Sequence, residues 1–114
     1  MAQAEKKIKI KSRSDCPVAK SLDIIGDRWT LLIARDLFKG KKRYKEFLES
    51  GENIPTNILA NRLKTMEETG MIERRIYSER PPRYEYALTE DGEKLGEIVL
   101  MLFQWGNKNI ARIK

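Results

Sequence analysis

The stretch NIPTNILANRLKTMEETG, residues 53–70, restricts the chain more than any other. Leu59, Leu63 and Met66 recur at i, i+4 and i+7 as one apolar stripe of a helix, and Gly70 stands where a helix stops. A stripe this narrow buries one face and displays the other. At about 100° per residue the displayed face holds Asn57, Asn61, Lys64 and Thr65, with Ala60 at its edge. A plain solvated helix face carries Glu and Lys four residues apart for mutual support. This one is mostly small, neutral side chains that hydrogen-bond, so the question is what it touches.

The flanking chain supplies the setting. CPVAKSLDIIG has Asp15 as N-cap, Pro17 in the first turn, Val18, Leu22 and Ile25 at helical spacing, and Gly26 as the stop. DRWTLLIARDLFKG places Trp29, Leu32, Ile33, Leu37 and Phe38 on a broad apolar face between an Asp27 cap and Gly40, which predicts a largely buried second helix. RYKEFLESG is a short third helix with Tyr44, Phe47 and Leu48 inward and Gly51 ending it. The quoted segment is the fourth, starting at Pro55 or Thr56. MIERRIYS and YEYALT are then two β-prone runs, and ERPPR between them is read as a hairpin tip, because adjacent prolines remove two ladder donors. Thr89 caps a long last helix, with Leu95, Ile98, Val99, Leu102, Phe103 and Trp105 on one face as far as Ile110 and Ile113. Residues 1–14 are polar and Lys-rich and read as a basic flexible arm, leaving residues 15–112 as one domain.

Composition narrows the chemistry. The 114 residues carry 23 Lys and Arg against 17 Asp and Glu, a formal charge of +6, which favours a polyanionic partner such as nucleic acid or an anionic membrane surface. The sequence has no histidine and one cysteine, Cys16, so a His-based triad, a zinc site and an internal disulfide are all excluded. No metal or cofactor is expected, and no carboxylate pair marks an enzyme. No apolar run nears the roughly 20 residues of a membrane span, and the N-terminus lacks the apolar core of a signal peptide, so a cytoplasmic location is expected.

Helix, helix, helix, helix, hairpin, helix is an α+β order, mostly α. A short helix, a tight connection, a helix with a polar far face and a basic hairpin together make a winged helix-turn-helix, whose second motif helix lies in the major groove. On that layout Asn pairs with adenine, Lys with guanine, and Thr56 or Thr65 reaches a base edge or a phosphate, while small Ala60 permits close approach. Arg80 and Arg83 around the two prolines suit a narrow minor groove. Lys39, Lys41, Lys42 and Arg43 crowd the start of the third helix, whose positive dipole end attracts phosphate.

The chain resembles the HxlR family of winged-helix transcription regulators, relatives of the MarR group, from about Cys16 to Asn109. The resemblance rests on CPVAKSLDIIGDRWTLLIARDLFKG, RYKEFLESGENIPTNILANRLKTMEETGMIERRIY, PPRYEYALTEDGEKL and QWG in this order and spacing. It implies a two-stranded wing, and a homodimer on double-stranded DNA, built from the first and last helices, with two recognition helices reading a palindromic operator. Carried onto this sequence, it gives base contacts from Thr56, Asn57, Ala60, Asn61 and Lys64. Backbone or wing contacts fall to Lys41, Lys42, Arg43, Arg62, Arg80 and Arg83, and the dimer interface to Val18, Leu22, Val99, Leu102, Phe103 and Ile110.

Cys16 stands where several members of that family carry a sensing thiol. In the first turn of a helix, with Lys20 four residues on, its thiolate is favoured; the plain reading is a packing residue at a dimer interface. Two rival functions remain beside DNA reading. One is control by a small aromatic effector, identity unknown, held near the dimer helices by Trp29, Phe103 and Trp105. The other is a scaffold for protein contacts, against which the polar face of the fourth helix argues, since such a scaffold would present apolar anchors there.

Overall fold

The computed structural model describes residues 14–111. The expected basic arm, apart from Ser14, lies outside the described residues, as does Ile113. Along the chain run α1 (Pro17–Ile25), α2 (Thr30–Phe38), α3 (Tyr44–Leu48), α4 (Thr56–Glu68), β1 (Ile72–Glu79), β2 (Pro82–Leu88), α5 (Glu90–Glu93) and α6 (Leu95–Asn109). The fold is α+β, a winged helix-turn-helix with a two-stranded antiparallel wing.

The stripe of α4 organises the core. Leu59, Leu63 and Met66 are all buried, and Ile33 and Ala34 of α2, Phe47 of α3, Ile54, Met71, Ile72 and Leu95 close around them. Burying each such side chain contributes roughly 1.5–3 kcal/mol. Tyr86 of β2 meets Phe47 edge to face at 6.3 Å, which joins the wing to the same core.

Several expectations need correction. The N-cap of α1 is Cys16 and not Asp15. α2 begins at Thr30, after Asp27, yet the Asp27 carboxylate still serves its start: Oδ2 accepts from the backbone N–H groups of Trp29 (2.9 Å) and Thr30 (3.0 Å), and Oδ1 from the Thr30 hydroxyl. The apolar face of α2 is less buried than its spacing predicts. Ile33 is buried but Phe38 is 43% exposed, while polar Thr30 and Asp36 lie inside. Arg35 makes that tolerable, donating to Asp36 Oδ1 from Nη2 (3.0 Å) and to Glu52 from Nη1 (2.8 Å).

The prolines do not both sit in the turn. Pro82 opens β2 opposite Glu79, the first-residue position where a missing donor costs the ladder nothing, and only Arg80 and Pro81 form the tip. The register runs from Ile72 opposite Leu88, with an irregularity between Ile76 and Ser78.

The last helix is two helices. Thr89 does cap, its hydroxyl accepting from Gly92 N–H at 3.1 Å, but α5 lasts four residues before the chain turns at Lys94 into α6. This turn is pressed against the loop before β1: Thr89 N–H donates to the Met71 carbonyl at 3.1 Å, and a Cβ on Gly92 would lie 1.9 Å from that oxygen. Only glycine fits where backbone meets backbone so closely. Of the stripe expected on the last helix, Leu95 is buried and Val99 half-buried, whereas Leu102, Phe103 and Trp105 face outward.

Two outcomes follow from these contacts. Gly92→Ala should destabilise the fold by about 1–3 kcal/mol, because the clash is with backbone and cannot rotate away; thermal unfolding at unchanged stability would contradict the packing. Burial of the Asp27 carboxyl acts to raise its pKa, but the Thr30 hydroxyl, the N–H groups of Trp29 and Thr30 and the Arg62 charge outweigh that and hold it below the ordinary 3.8. A depressed folded pKa stabilises fully above 3.8, and this contribution disappears as pH falls through the lower folded value. Asp27→Asn should therefore unfold at lower urea than the parent at pH 7, with the gap closing in acid; an equal gap at both pH values would refute the account.

Candidate nucleic-acid interface

α3 and α4 form the motif, and the segment between them sets their angle. Gly51 (φ +98°) and Asn53 (φ +60°) reverse the chain in left-handed conformations, Ile54 is buried as a peg, and Pro55 leads into α4. The Tyr44 hydroxyl donates to the Thr56 carbonyl at 2.7 Å, tying α3 to the first turn of α4. Arg35, held by buried Asp36, reaches Glu52 in the same segment. Its charged partners draw the Glu52 carboxyl below its ordinary range, the Arg35 hydrogen bond foremost.

With the stripe buried, Asn57, Ala60, Asn61 and Lys64 are exposed on the opposite face as the periodicity predicts, and so is Thr56, whereas Thr65, expected there too, is half-buried. Ala60 and Lys64 border, with Glu67 and Glu68 of the same helix, a cleft of about 460 Å³ whose other wall is Tyr44, Arg74 and Tyr86, and Arg74 stands 3.7 Å from Glu67, so this face continues onto the wing. Burial pushes the Tyr86 phenol up from its ordinary range. The remaining candidate, Arg62, is turned inward: its Nη1 lies 3.6 Å from Asp27 Oδ1, and its Nε and Nη2 donate to Asn61 Oδ1 at 3.2 and 2.6 Å.

The wing presents Arg80 in its tip and Arg83 in β2 opposite Ser78, both exposed. Its sides carry two cation–π stacks that sequence patterning does not reveal, Arg43 over Tyr77 at 3.9 Å and Arg74 over Tyr84 at 4.5 Å. No spacing in the sequence pairs them, because each stack joins residues on different elements. The basic run before α3 lies along the wing: the Lys42 carbonyl accepts from Tyr86 N–H at 2.7 Å, and Lys42 and Arg43 stand 3.7 and 3.8 Å from Glu85. The N-terminus of α3, expected to attract phosphate, already holds an anion, since the Glu46 carboxylate accepts from the N–H groups of Lys42 and Arg43, both at 3.0 Å. Those two bonds hold the Glu46 carboxyl below its ordinary range.

Away from this face, Val18, Leu22, Leu102, Phe103 and Ile110 are exposed apolar side chains, 52–67% accessible. Val99 is half-buried and lines, with Leu31, Leu32, Phe38 and Phe103, an apolar groove of about 470 Å³ between α2 and α6. The aromatic trio expected to frame an effector does not converge: Phe103 lines this groove, Trp29 lines a separate crevice of about 10 Å³, and Trp105 is 60% exposed on α6. Cys16 is exposed, and the backbone N–H groups of Ala19 and Val18 lower its thiol pKa; Lys20, expected to share in this, does not. Among the described residues no helix is long and apolar enough to cross a membrane, and no cluster of side chains could hold a metal ion.

Comparison with known proteins agrees with this geometry. A family model described as HxlR-like helix-turn-helix matches residues 24–114. The HTH-type transcriptional regulator YybR of Bacillus subtilis is 37% identical over 106 residues, 93% of this chain and 85% of YybR. Among solved structures, the redox regulator HypR in its oxidized form superposes with a TM-score of 0.77 at 37% identity, covering 85% of this chain and all of HypR. The reduced form of the transcriptional regulator YodB from B. subtilis does so at 0.70 and 32%, over 89% of this chain and all of YodB. With the helix-turn-helix, the wing and the matched sequence in agreement, this chain belongs to the HxlR-like helix-turn-helix family of transcriptional regulators.

Proposed function

We propose that the protein is a homodimeric repressor or activator that reads a palindromic operator through α4, with its DNA affinity set by the oxidation state of Cys16. The observation that carries the DNA reading is the exposed polar face of α4, opposite a fully buried stripe and continuous with a basic wing. Thr56, Asn57, Ala60, Asn61 and Lys64 face base edges in the major groove, and Arg80 and Arg83 enter the adjoining minor groove or grip its phosphates. Lys41, Lys42 and Arg43 add positive charge beside the wing. The dimer follows from uncovered surface. α1 has no fully buried residue and reaches the core only through half-buried Ile24 and Ile25, and α6 leaves Leu102, Phe103 and Ile110 in solvent, so the two helices pack on their counterparts in a second copy, with Val18, Leu22 and Val99.

Selection of bound fragments from random DNA should return an inverted repeat with half-sites about one helical turn apart. Lys64→Ala should then relax one base position per half-site at a cost of roughly 1–3 kcal/mol. Arg80→Ala with Arg83→Ala should instead weaken all sequences and flatten the salt dependence of log K by about 0.9 for each phosphate no longer neutralised. A single-copy site, or a Lys64→Ala loss equal on random DNA, would overturn the assignment.

The redox reading is supported by the exposure and lowered pKa of the Cys16 thiol and by the likeness to a redox regulator. With one cysteine per chain, diamide joins two thiols into a disulfide and is itself reduced to the hydrazine, so the bond forms either between subunits or to an added small thiol. Operator binding by the wild type should change with diamide and recover with reductant, while Cys16→Ser should ignore both. A wild type indifferent to diamide would leave Cys16 as a packing residue.

A further inference from the structure

We infer that Arg62 sets the hydrogen-bonding polarity of Asn61, making Asn61 a donor-only reader that selects guanine and rejects adenine. The inference rests on the reading that α4 faces base edges, and it concerns what one of its side chains can recognise.

Asparagine owes its usual adenine preference to using both ends of its amide. The NH₂ donates to N7 while the oxygen accepts from the N6 amino group. Here the oxygen is engaged. Arg62 donates to Asn61 Oδ1 twice, from Nε at 3.2 Å and Nη2 at 2.6 Å. A guanidinium has donors and no acceptor, so the amide atom facing it is necessarily the oxygen. Two donors fill the two lone pairs of that oxygen and leave the NH₂ group pointing its two hydrogens elsewhere.

Arg62 is itself held. Its Nη1 lies 3.6 Å from Asp27 Oδ1, its side chain is only 24% exposed, and the Asp27 carboxylate is fixed by three hydrogen bonds at the start of α2. The line Asp27–Arg62–Asn61 thus runs from the N-terminus of α2 to the exposed face of α4. An NH₂ group without a free acceptor beside it matches the edge with two acceptors, O6 and N7 of guanine; opposite adenine, N6–H₂ would meet an oxygen already occupied. Arg62 is a positioning residue, acting on the base through Asn61, which distinguishes it from a phosphate contact.

The test compares operator preference among the wild type, Asn61→Ala, Arg62→Met and Asp27→Asn by selection from random duplexes and by titration of the selected duplexes, with circular dichroism confirming that each variant is folded. The position that becomes degenerate in Asn61→Ala identifies the base facing Asn61. In the wild type this base should be guanine, preferred over adenine on the order of tenfold. Arg62→Met keeps the apolar stem and removes the donors, so adenine should gain at that position alone, with the Lys64 position unchanged; Asp27→Asn should shift it in the same direction, by less. Adenine in the wild type overturns the inference, as does an Arg62→Met variant that loses affinity equally for every sequence, the mark of a phosphate contact. If Asn61→Ala relaxes no position, the base-reading role of α4 fails at that residue and the inference falls with it, whereas relaxation without an Arg62 effect rejects the inference alone.

Discussion

Burial of Leu59, Leu63 and Met66 is the constraint from which the rest of the molecule follows. These three side chains share one buried core with Ile33, Ala34, Phe47 and Ile72, so α2, α3 and β1 are assembled around one helix. Because a helix is rigid across its diameter, sealing one stripe presents the opposite one. The polar face is a consequence of the core and needs no separate device to hold it outward. Truncating any of the three would cost roughly 2–5 kcal/mol, and would unseat the reading face in the same step.

Apolar packing turns the polar face of α4 outward, and polar contacts tie the helix and its approach to their neighbours. Tyr44 holds its first turn by a hydrogen bond to the Thr56 carbonyl, Arg35 holds Glu52 ahead of it, and Asp27 holds Arg62 at its middle. Each joins α4 or its approach to a different element. The exposed ion pairs contribute little to stability on their own, since solvent and salt screen them. Their value is geometric: contacts placed along the length of α4 resist its displacement.

The outer surface divides by chemistry. One side is polar and basic, from α4 through the wing. The other, α1 and the outer part of α6, leaves Val18, Leu22, Leu102, Phe103 and Ile110 in water, an arrangement a lone chain does not favour. A second copy covering this side would set the distance between two α4 helices, so any chemistry at Cys16, the N-cap of α1, would act on operator spacing without touching DNA.

The periodicity and punctuation of the sequence determined the first four helices, the buried stripe of α4, the exposed polar face opposite it and the hairpin, because each depends on residues a few positions apart. The sequence also carried the family, in blocks from CPVAKSLDIIG to PPRYEYALT whose order and spacing are specific together. It failed wherever the decisive partner was distant. The split of the last helix at Lys94 turns on Gly92 meeting the Met71 carbonyl, and the occupied N-terminus of α3 on Glu46 folding back toward Lys42 and Arg43. The burial of Asp36, tolerable because Arg35 covers it, also escaped the pattern, as did the scattering of Trp29, Phe103 and Trp105 over separate surfaces. Arg62, expected among the DNA-backbone contacts, also gains a partner that the local chain does not supply. Only the tertiary structure brings Asp27 to it and so turns it inward onto Asn61, because a side chain's direction is decided by charges that the fold, and not the local chain, places beside it.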